Sequence, residues 1–272
     1  MSWWLAAAMG VVQGVTEFLP ISSSAHLRIL PALVGQKDPG ASFTAVIQIG
    51  TIFSVLIYFK NDLISISKAT LSGLFRRNKR NKEFKMGLSI ILATLPIIFL
   101  GFFGQNFIKN GARDLYLVAY VMLIFSFVMF LVDKYSKFDT DINELSRFKI
   151  LMLGFAQSLA LIPGFSRSGV TITAARFFGI NRADAARFSF LLSVPAIVLS
   201  GLYEAIGITN SNESGWGQTI FAAAVSFVVG YLSIAWLIKW LGNHSLKTFV
   251  IYRIALALVI IALLNGGIIS NL

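Results

Sequence analysis

The sequence contains no cysteine, only two histidines (His26 and His244) and few charged residues for its length. Without cysteine, the chain can form neither disulfide bridges nor thiolate sites. Two histidines are too few for a multi-histidine metal cage. Charged residues make up 13% of the 272 residues, whereas soluble domains average about 25%. This shortage of charge excludes a disordered chain, an ordinary soluble enzyme and a nucleic-acid-binding domain.

What the sequence does contain is long apolar runs. Apolar residues make up 56% of the chain, and its mean hydropathy is +0.76. A helix needs about 20 apolar residues to cross a bilayer. Six runs meet this requirement and are predicted membrane spans: 42–59, 86–104, 115–132, 188–208, 216–238 and 248–269. We expect Glu204 and Arg253 to snorkel, because we place them near the ends of their spans.

Basic residues give the predicted spans an orientation. The net charge is +11, and eight basic residues oppose two acidic ones between residues 60 and 86. Cytoplasmic loops are enriched in Lys and Arg, so this loop is predicted to be cytoplasmic. Counting spans outward also places 133–187 and 239–247 in the cytoplasm and both termini outside. The only basic residues in the predicted outer segments are Lys37, Lys109 and Arg113.

Two apolar stretches do not read as simple spans. Residues 2–19 end at Pro20 and a serine run, and residues 150–162 end at Pro163-Gly164 before a Ser-Arg-Ser sequence. Helix, break, polar turn and short helix is the pattern of a re-entrant hairpin. Broken backbone at membrane depth is tolerated inside protein or beside a wet cavity.

The two broken stretches begin an internal repeat. Met9-Gly-Val-Val-Gln13 resembles Leu153-Gly-Phe-Ala-Gln157, and each copy is followed by a proline, a serine-bearing turn and three spans. Three intervening spans make the copies inverted, as in many transporters. The prediction is an all-α polytopic membrane protein, one domain over 1–272 with six transmembrane helices and two re-entrant helical hairpins. Repeat one covers 1–135 with its hairpin at 2–30, and repeat two covers 148–272 with its hairpin at 150–180.

Polar residues concentrate on the two hairpin turns. Gln13 and Glu17 share one helical face, and His26 lies on the short helix after the first turn. Arg167, in the second turn, carries a planar charged fork suited to phosphate. Serines can cap both short helices, whose N-termini favour anions. Polar groups are costly in lipid and indicate function, so this set predicts a site for a phosphorylated ligand.

Two segments resemble the signatures of the undecaprenyl-diphosphatase (bacitracin-resistance) family. Residues 13–26 read Gln-Gly-Val-Thr-Glu-Phe-Leu-Pro-Ile-Ser-Ser-Ser-Ala-His, and residues 163–169 read Pro-Gly-Phe-Ser-Arg-Ser-Gly. Residues 43–51, 188–195 and 252–253 also look like family segments. Position 13 is Gln where many members have Glu.

The resemblance implies a membrane enzyme that hydrolyses undecaprenyl diphosphate to undecaprenyl phosphate and inorganic phosphate. It would recycle the lipid carrier for cell-wall synthesis and confer bacitracin resistance. The implied location is the bacterial inner membrane, with the active site at the outer face. Family members need a divalent cation, Mg²⁺ or Ca²⁺ here, and often form homodimers.

The residues assigned on this basis fall into two groups. The expected catalytic residues are Glu17, which would also hold the cation, Ser23, His26 and Arg167. The expected phosphate-binding residues are Gln13, Ser22, Gln48, Ser166, Ser168 and Thr171. Ser23 is the candidate nucleophile, activated by His26, and attack by a water on the cation stays open.

Alternative interpretations accompany these assignments. Glu17 could be a structural acid paired with Arg167, and the serines could be plain helix caps. A phosphatase of the phosphatidic-acid type would need a second histidine where Thr171 stands, so that class is excluded. A lipid-phosphate transporter or flippase of the same architecture remains the main alternative function. A purely structural membrane subunit would not explain the two polar turns.

Overall fold

Eleven α-helices form the described part of the chain. The computed structural model describes residues 1–36, 38–75, 81–104, 114–138, 140–206 and 215–271, with main chain only at 41 and 200–206. The helices are α1 (Trp3–Thr16), α2 (Ser23–Leu33), α3 (Gly40–Tyr58), α4 (Lys60–Phe75), α5 (Lys82–Phe103), α6 (Leu115–Tyr135), α7 (Arg147–Ser158), α8 (Arg167–Phe177), α9 (Arg182–Ile206), α10 (Trp216–Leu241) and α11 (Lys247–Asn265). No strand occurs within these ranges, which confirms the predicted all-α class.

Four single helices are long and apolar enough to cross a membrane: α5, α6, α10 and α11. A fifth candidate is the pair formed by α3 and α4, which is bent by 77°. The chain is therefore a multi-pass membrane protein. The remaining predicted span, 188–208, begins on α9, and residues 207 and 208 lie outside the described part.

The region between residues 60 and 86 is not the simple loop that the charge pattern predicted. Residues Lys60–Phe75 form α4, which packs along the start of α5. Gly87 on α5 lets the Thr70 side chain approach closely, because a β-carbon there would overlap its hydroxyl. Counting charged residues in the sequence does not detect close packing of this kind between two helices. Residues 76–80, which hold four of the basic residues, lie outside the described ranges.

Small residues allow α10 to lie against α1 and α3. A β-carbon added at Gly10 would come within 2.5 Å of the Ala222 carbonyl oxygen. Across the α3–α10 contact, Ser226 Oγ donates to Ile47 O at 2.6 Å. Close backbone approach and hydroxyl hydrogen bonds are the usual means of helix association in membranes. Elsewhere α7 packs on α5, α6 on α11, and α3 on α9.

A buried charge network joins α6, α8, α9 and α11 at the end of α6 predicted to be cytoplasmic. Asp133 Oδ1 accepts from Arg182 Nε at 2.7 Å and from Arg176 Nε at 3.2 Å. Asp133 Oδ2 accepts from Leu246 N at 2.9 Å, just before α11 begins. Because one carboxylate is shared by three donors from separate elements, this network fixes the packing of four helices.

Candidate functional site

The two predicted turns have the same backbone construction. Ser22 precedes α2 with φ 76°, and Ser166 precedes α8 with φ 69°. They are the two non-glycine residues with positive φ among the described residues. Such a conformation is uncommon for residues with a side chain and often marks a functional site. In each turn the serine hydroxyl lies 3.1 Å from that of the serine two residues later, Ser24 or Ser168.

The two turns touch each other in the folded chain. Ser168 Oγ of the second turn donates to Leu19 O of the first at 3.1 Å. The second turn also packs tightly on α6, where a β-carbon at Gly164 would lie 2.6 Å from Val118 O. Gly164 has φ +97°, so glycine is required there on both counts. The contact brings residues 150 positions apart into one cluster.

Glu17 is the centre of that cluster. It is 8% exposed and lies one residue past the end of α1. Its Oε2 accepts from Ser23 Oγ at 2.9 Å and from Gln13 Nε2 at 3.2 Å. Its Oε1 forms an ion pair with Arg167 and accepts from Gln48 Nε2 at 3.4 Å. The structure thus brings four of the predicted residues together around the carboxylate of a fifth, Glu17.

His26 has partners other than Ser23. Its Nδ1 donates to the Ser22 carbonyl oxygen at 2.7 Å, and its Nε2 lies 2.7 Å from the Tyr252 hydroxyl. Because a carbonyl oxygen only accepts, the hydrogen of a neutral imidazole is on Nδ1, and Nε2 accepts from the tyrosine. The two rings are also nearly parallel, with centroids 5.6 Å apart. His26 therefore holds the first turn to α11.

The hydroxyls of the remaining predicted phosphate-binding residues already form hydrogen bonds within the protein. Ser22 is 1% exposed, and Ser166 Oγ accepts from Gly169 N, a conventional helix cap. Thr171 is completely buried, and its hydroxyl contacts Ser189 and main-chain carbonyls of α8. Among the predicted phosphate-binding residues, Gln13 and Gln48 reach Glu17, whereas Thr171 does not.

Arg253 corrects a prediction made from the sequence. It does not snorkel, because it is completely buried in α11. Its guanidinium donates to Gly164 O at 2.8 Å, Pro20 O at 3.4 Å and Phe165 O at 3.5 Å. Its Nε donates to Ser126 Oγ at 3.0 Å. One arginine therefore ties both turns to α6 and α11, and its position inside an apolar run was the available signal. The side chain of Glu204, the other residue expected to snorkel, lies outside the described part.

Oxygen atoms suited to a hard divalent cation are present at the cluster. Glu17 supplies a carboxylate, and Gln13 Oε1 is buried without a hydrogen-bond partner. Mg²⁺ and Ca²⁺ prefer such oxygen ligands, and Mg²⁺ often takes one or two carboxylates plus substrate phosphates. Within the described ranges, no group of three or more His, Cys, Asp or Glu residues could hold a metal by itself. The donor set fits a cation whose coordination the substrate completes.

Fold and site together define a polytopic helical membrane protein with a buried acid, a hydroxyl and an arginine gathered on two broken-helix turns. The family model "Bacitracin resistance protein BacA" matches residues 6–259. Because this match covers most of the chain, the protein belongs to the BacA family.

Curated relatives agree over nearly the whole length. The chain is 46% identical to the undecaprenyl-diphosphatase of Corynebacterium efficiens, across 98% of this chain and 92% of the relative. It is 43% identical to that of Mycolicibacterium vanbaalenii, across 99% of both chains. It is 44% identical to that of a Nocardioides species, across 97% of both. The resemblance seen in the two motifs is thus confirmed along the full chain.

Proposed function

We propose that this protein is an undecaprenyl-diphosphate phosphatase, a hydrolase that acts on a phosphoric anhydride in the membrane. It converts undecaprenyl diphosphate to undecaprenyl phosphate and inorganic phosphate. The observation that carries the proposal is the Ser23–Glu17–Arg167 cluster, in which a hydroxyl and a guanidinium suited to phosphate both lie within hydrogen-bond distance of one carboxylate, the base. Family membership and the names of the relatives agree with it.

The geometry favours Glu17 as the proton acceptor for Ser23. The Ser23 hydroxyl already donates to Glu17 Oε2 at 2.9 Å. As Oγ attacks the terminal phosphorus, its proton passes to Glu17 and an Oγ–P bond forms. The anhydride P–O bond breaks, and its electron pair leaves with the lipid monophosphate. Water then hydrolyses the phosphoserine and releases inorganic phosphate.

Arg167 supplies the positive charge that the transferred phosphoryl group needs. Its side chain is 15% exposed and paired with the more deeply buried Glu17. An incoming phosphate would compete with Glu17 for the guanidinium, which frees the carboxylate to act as base. The main-chain N–H groups at the start of α2 and α8 add donors for the phosphate oxygens.

We place the divalent cation beside the Glu17 carboxylate. Glu17 and Gln13 Oε1 would hold it together with diphosphate oxygens. Charge neutralisation on those phosphate oxygens is the chemistry that Mg²⁺ or Ca²⁺ would supply when bound. Gln48 holds the second carboxylate oxygen, and His26 keeps the Ser22–Ser23 turn in place through the Ser22 carbonyl.

The proposed architecture is six spans and two re-entrant hairpins in an inverted repeat. The packing supports it, because α1 lies on α10 while its counterpart α7 lies on α5, and the counterparts α6 and α11 pack together. The matched positive φ of Ser22 and Ser166 also supports it. On this alignment Ser23 and Arg167 occupy equivalent positions, each the first residue of a short helix.

The proposed setting is the bacterial inner membrane, with the first turn open to the outer face. There the enzyme would recycle the lipid carrier of cell-wall synthesis, and its activity would confer bacitracin resistance. We also propose that the protein forms a homodimer. The mass of the purified protein in detergent tests this.

The experiment that tests the function is phosphate release from a C55 diphosphate by the purified protein in detergent. Release that requires Mg²⁺ or Ca²⁺ and stops on chelation is expected. No release with lipid and cation present would overturn the proposal. Proteoliposomes that move labelled lipid phosphate across the bilayer without releasing phosphate would instead identify a transporter or flippase.

A further inference from the structure

A groove lies on the surface of the protein at the C-terminal end of α6. The contact of α6 with the turns lies nearer its N-terminal end. It has a volume of about 490 Å³ and is formed by the end of α6, the start of α7 and the last turn of α8. Phe125 packs on Phe165 of the second turn, with ring centroids 5.3 Å apart. Leu131 and Tyr135 follow six and ten residues later, so the groove lies about 9–15 Å further along the helix axis. It is separate from the Glu17 cluster.

The walls of this groove are apolar and aromatic. Leu131 and Val132 come from α6, and Phe177 and Phe178 come from α8 and the residue after it. Tyr135 and Phe177 are 70% and 67% exposed. Tyrosine is enriched at the boundary between lipid tails and headgroups, and Tyr135 stands on the wall of this groove. The walls therefore lie where the upper part of an acyl chain and the glycerol backbone of a phospholipid would be.

Two lysines from separate parts of the chain line the same groove. Lys137 follows α6, and Lys149 lies in the first turn of α7 with its Nζ 5.9 Å from the centre of the Phe178 ring. Among the described residues neither lysine has a salt bridge, and the nearby Asp141 is paired with Lys82. Two lysine ammonium groups beside an apolar groove are complementary to the phosphate headgroup and acyl chains of an anionic lipid.

We propose that this groove binds one anionic phospholipid of the cytoplasmic leaflet, with its phosphate on Lys137 and Lys149 and an acyl chain along Leu131, Val132 and Phe177. The apolar walls favour a lipid over free phosphate, because an inorganic ion would gain nothing from them. The predicted cytoplasmic position of residues 133–187 gives the leaflet.

The test measures binding of phosphatidylglycerol to the full-length protein in detergent by intact-complex mass spectrometry. The double variant Lys137→Gln/Lys149→Gln should bind about 30-fold more weakly, since each lysine near a membrane surface contributes about fivefold to the affinity. The control Lys68→Gln/Lys85→Gln removes the same charge from exposed positions on α4 and α5 and should keep wild-type affinity. Phosphatidylcholine should not saturate a single site.

Each other outcome overturns the proposal. Equal loss in both double variants would mean general attraction to a basic surface. Unchanged binding in Lys137→Gln/Lys149→Gln would place the lipid elsewhere. Displacement of phosphatidylglycerol by millimolar inorganic phosphate or glycerol 3-phosphate would make the groove a site for a free anion. Thermal unfolding of each variant, compared with that of the wild type, shows that the fold is retained.

Discussion

At the scale of single residues, Glu17 carries most of the chemistry. Four side chains contact its two oxygens, and one of them is the candidate nucleophile. Glu17→Gln keeps the shape but removes the base and the charge that pairs with Arg167. We expect phosphate release to fall about 10³-fold, within the range typical of losing general acid–base catalysis.

The matched control for this variant is Gln13→Ala. It removes a neighbour of the same carboxylate without removing charge, so its loss of activity should be smaller. Initial rates with C55 diphosphate over a range of Mg²⁺ concentrations make the comparison. Turnover near that of the wild type in Glu17→Gln would contradict the assignment of base and cation ligand, and would leave Glu17 as a structural partner of Arg167.

Arg253 is the second residue whose replacement is informative. Its guanidinium donates hydrogen bonds to carbonyl oxygens of both turns, and the single ammonium of lysine does not reproduce this geometry. Arg253→Lys should therefore lower kcat by about tenfold or more while KM changes little, because Arg253 contacts the turns and not the substrate. Steady-state kinetics and thermal unfolding in detergent measure this. Arg187→Lys is the control, since Arg187 forms a more exposed pair with Asp62.

At the scale of helices, close backbone contact decides how α3 lies on α10. A β-carbon at Gly50 would overlap the Ala223 carbonyl oxygen, and main chain cannot easily move aside. Gly50→Ala should destabilise the protein by about 1–3 kcal/mol, the usual cost of overpacking.

Gly101→Ala gives the matched control for that contact. The nearest atom to a β-carbon at Gly101 is a Leu161 methyl group at 3.8 Å, which is ordinary contact. This variant should be neutral or slightly stabilising, because alanine favours a helix. The melting temperatures of both variants in one detergent decide the matter, and equal values would rule out the close-contact explanation.

Helices also show where sequence patterns succeed and fail. The breaks at Pro20 and Pro163 were predictable, because proline and a serine turn interrupt an apolar run. The helix at Lys60–Phe75 was not, since its support is contact with α5 and not its own hydropathy.

Some residues of the candidate site were likewise predictable from the sequence, and others were not. Glu17, Ser23 and Arg167 were predictable as a set because topology places the two turns together. The pairing of His26 with Tyr252 spans 226 residues, and the hydrogen bonds of the buried Arg253 span 88 to 233 residues. The apolar run around Arg253 was a local signal of its burial, but no local pattern identifies these partners.

At the scale of the whole molecule, the orientation in the membrane is open to direct measurement. Cysteines at Lys37 and Ser214, on the predicted outer side, and at Asn78, on the predicted cytoplasmic side, would test this orientation, but these positions lie outside the described residues. Gln36 and Asn243 are exposed and described. The chain has no cysteine of its own, so Gln36→Cys should react with an impermeant thiol reagent in intact cells, and Asn243→Cys only after lysis. The reverse pattern would place the first turn at the cytoplasmic face.

The contacts of Arg253 have a consequence for how the sequence can vary. Three of its hydrogen-bond acceptors are main-chain oxygens, at Pro20, Gly164 and Phe165. A substitution changes a side chain and leaves the carbonyl in place, so no single replacement at those three positions deletes an acceptor. The hydrogen bonds between Arg253 and the turns therefore tolerate a new side chain at Pro20 or Phe165 but not at Arg253, whereas Gly164 must stay glycine because of its φ of +97°. During evolution the side chains at positions 20 and 165 can therefore change without loss of these hydrogen bonds, while no other side chain reproduces the contacts of Arg253.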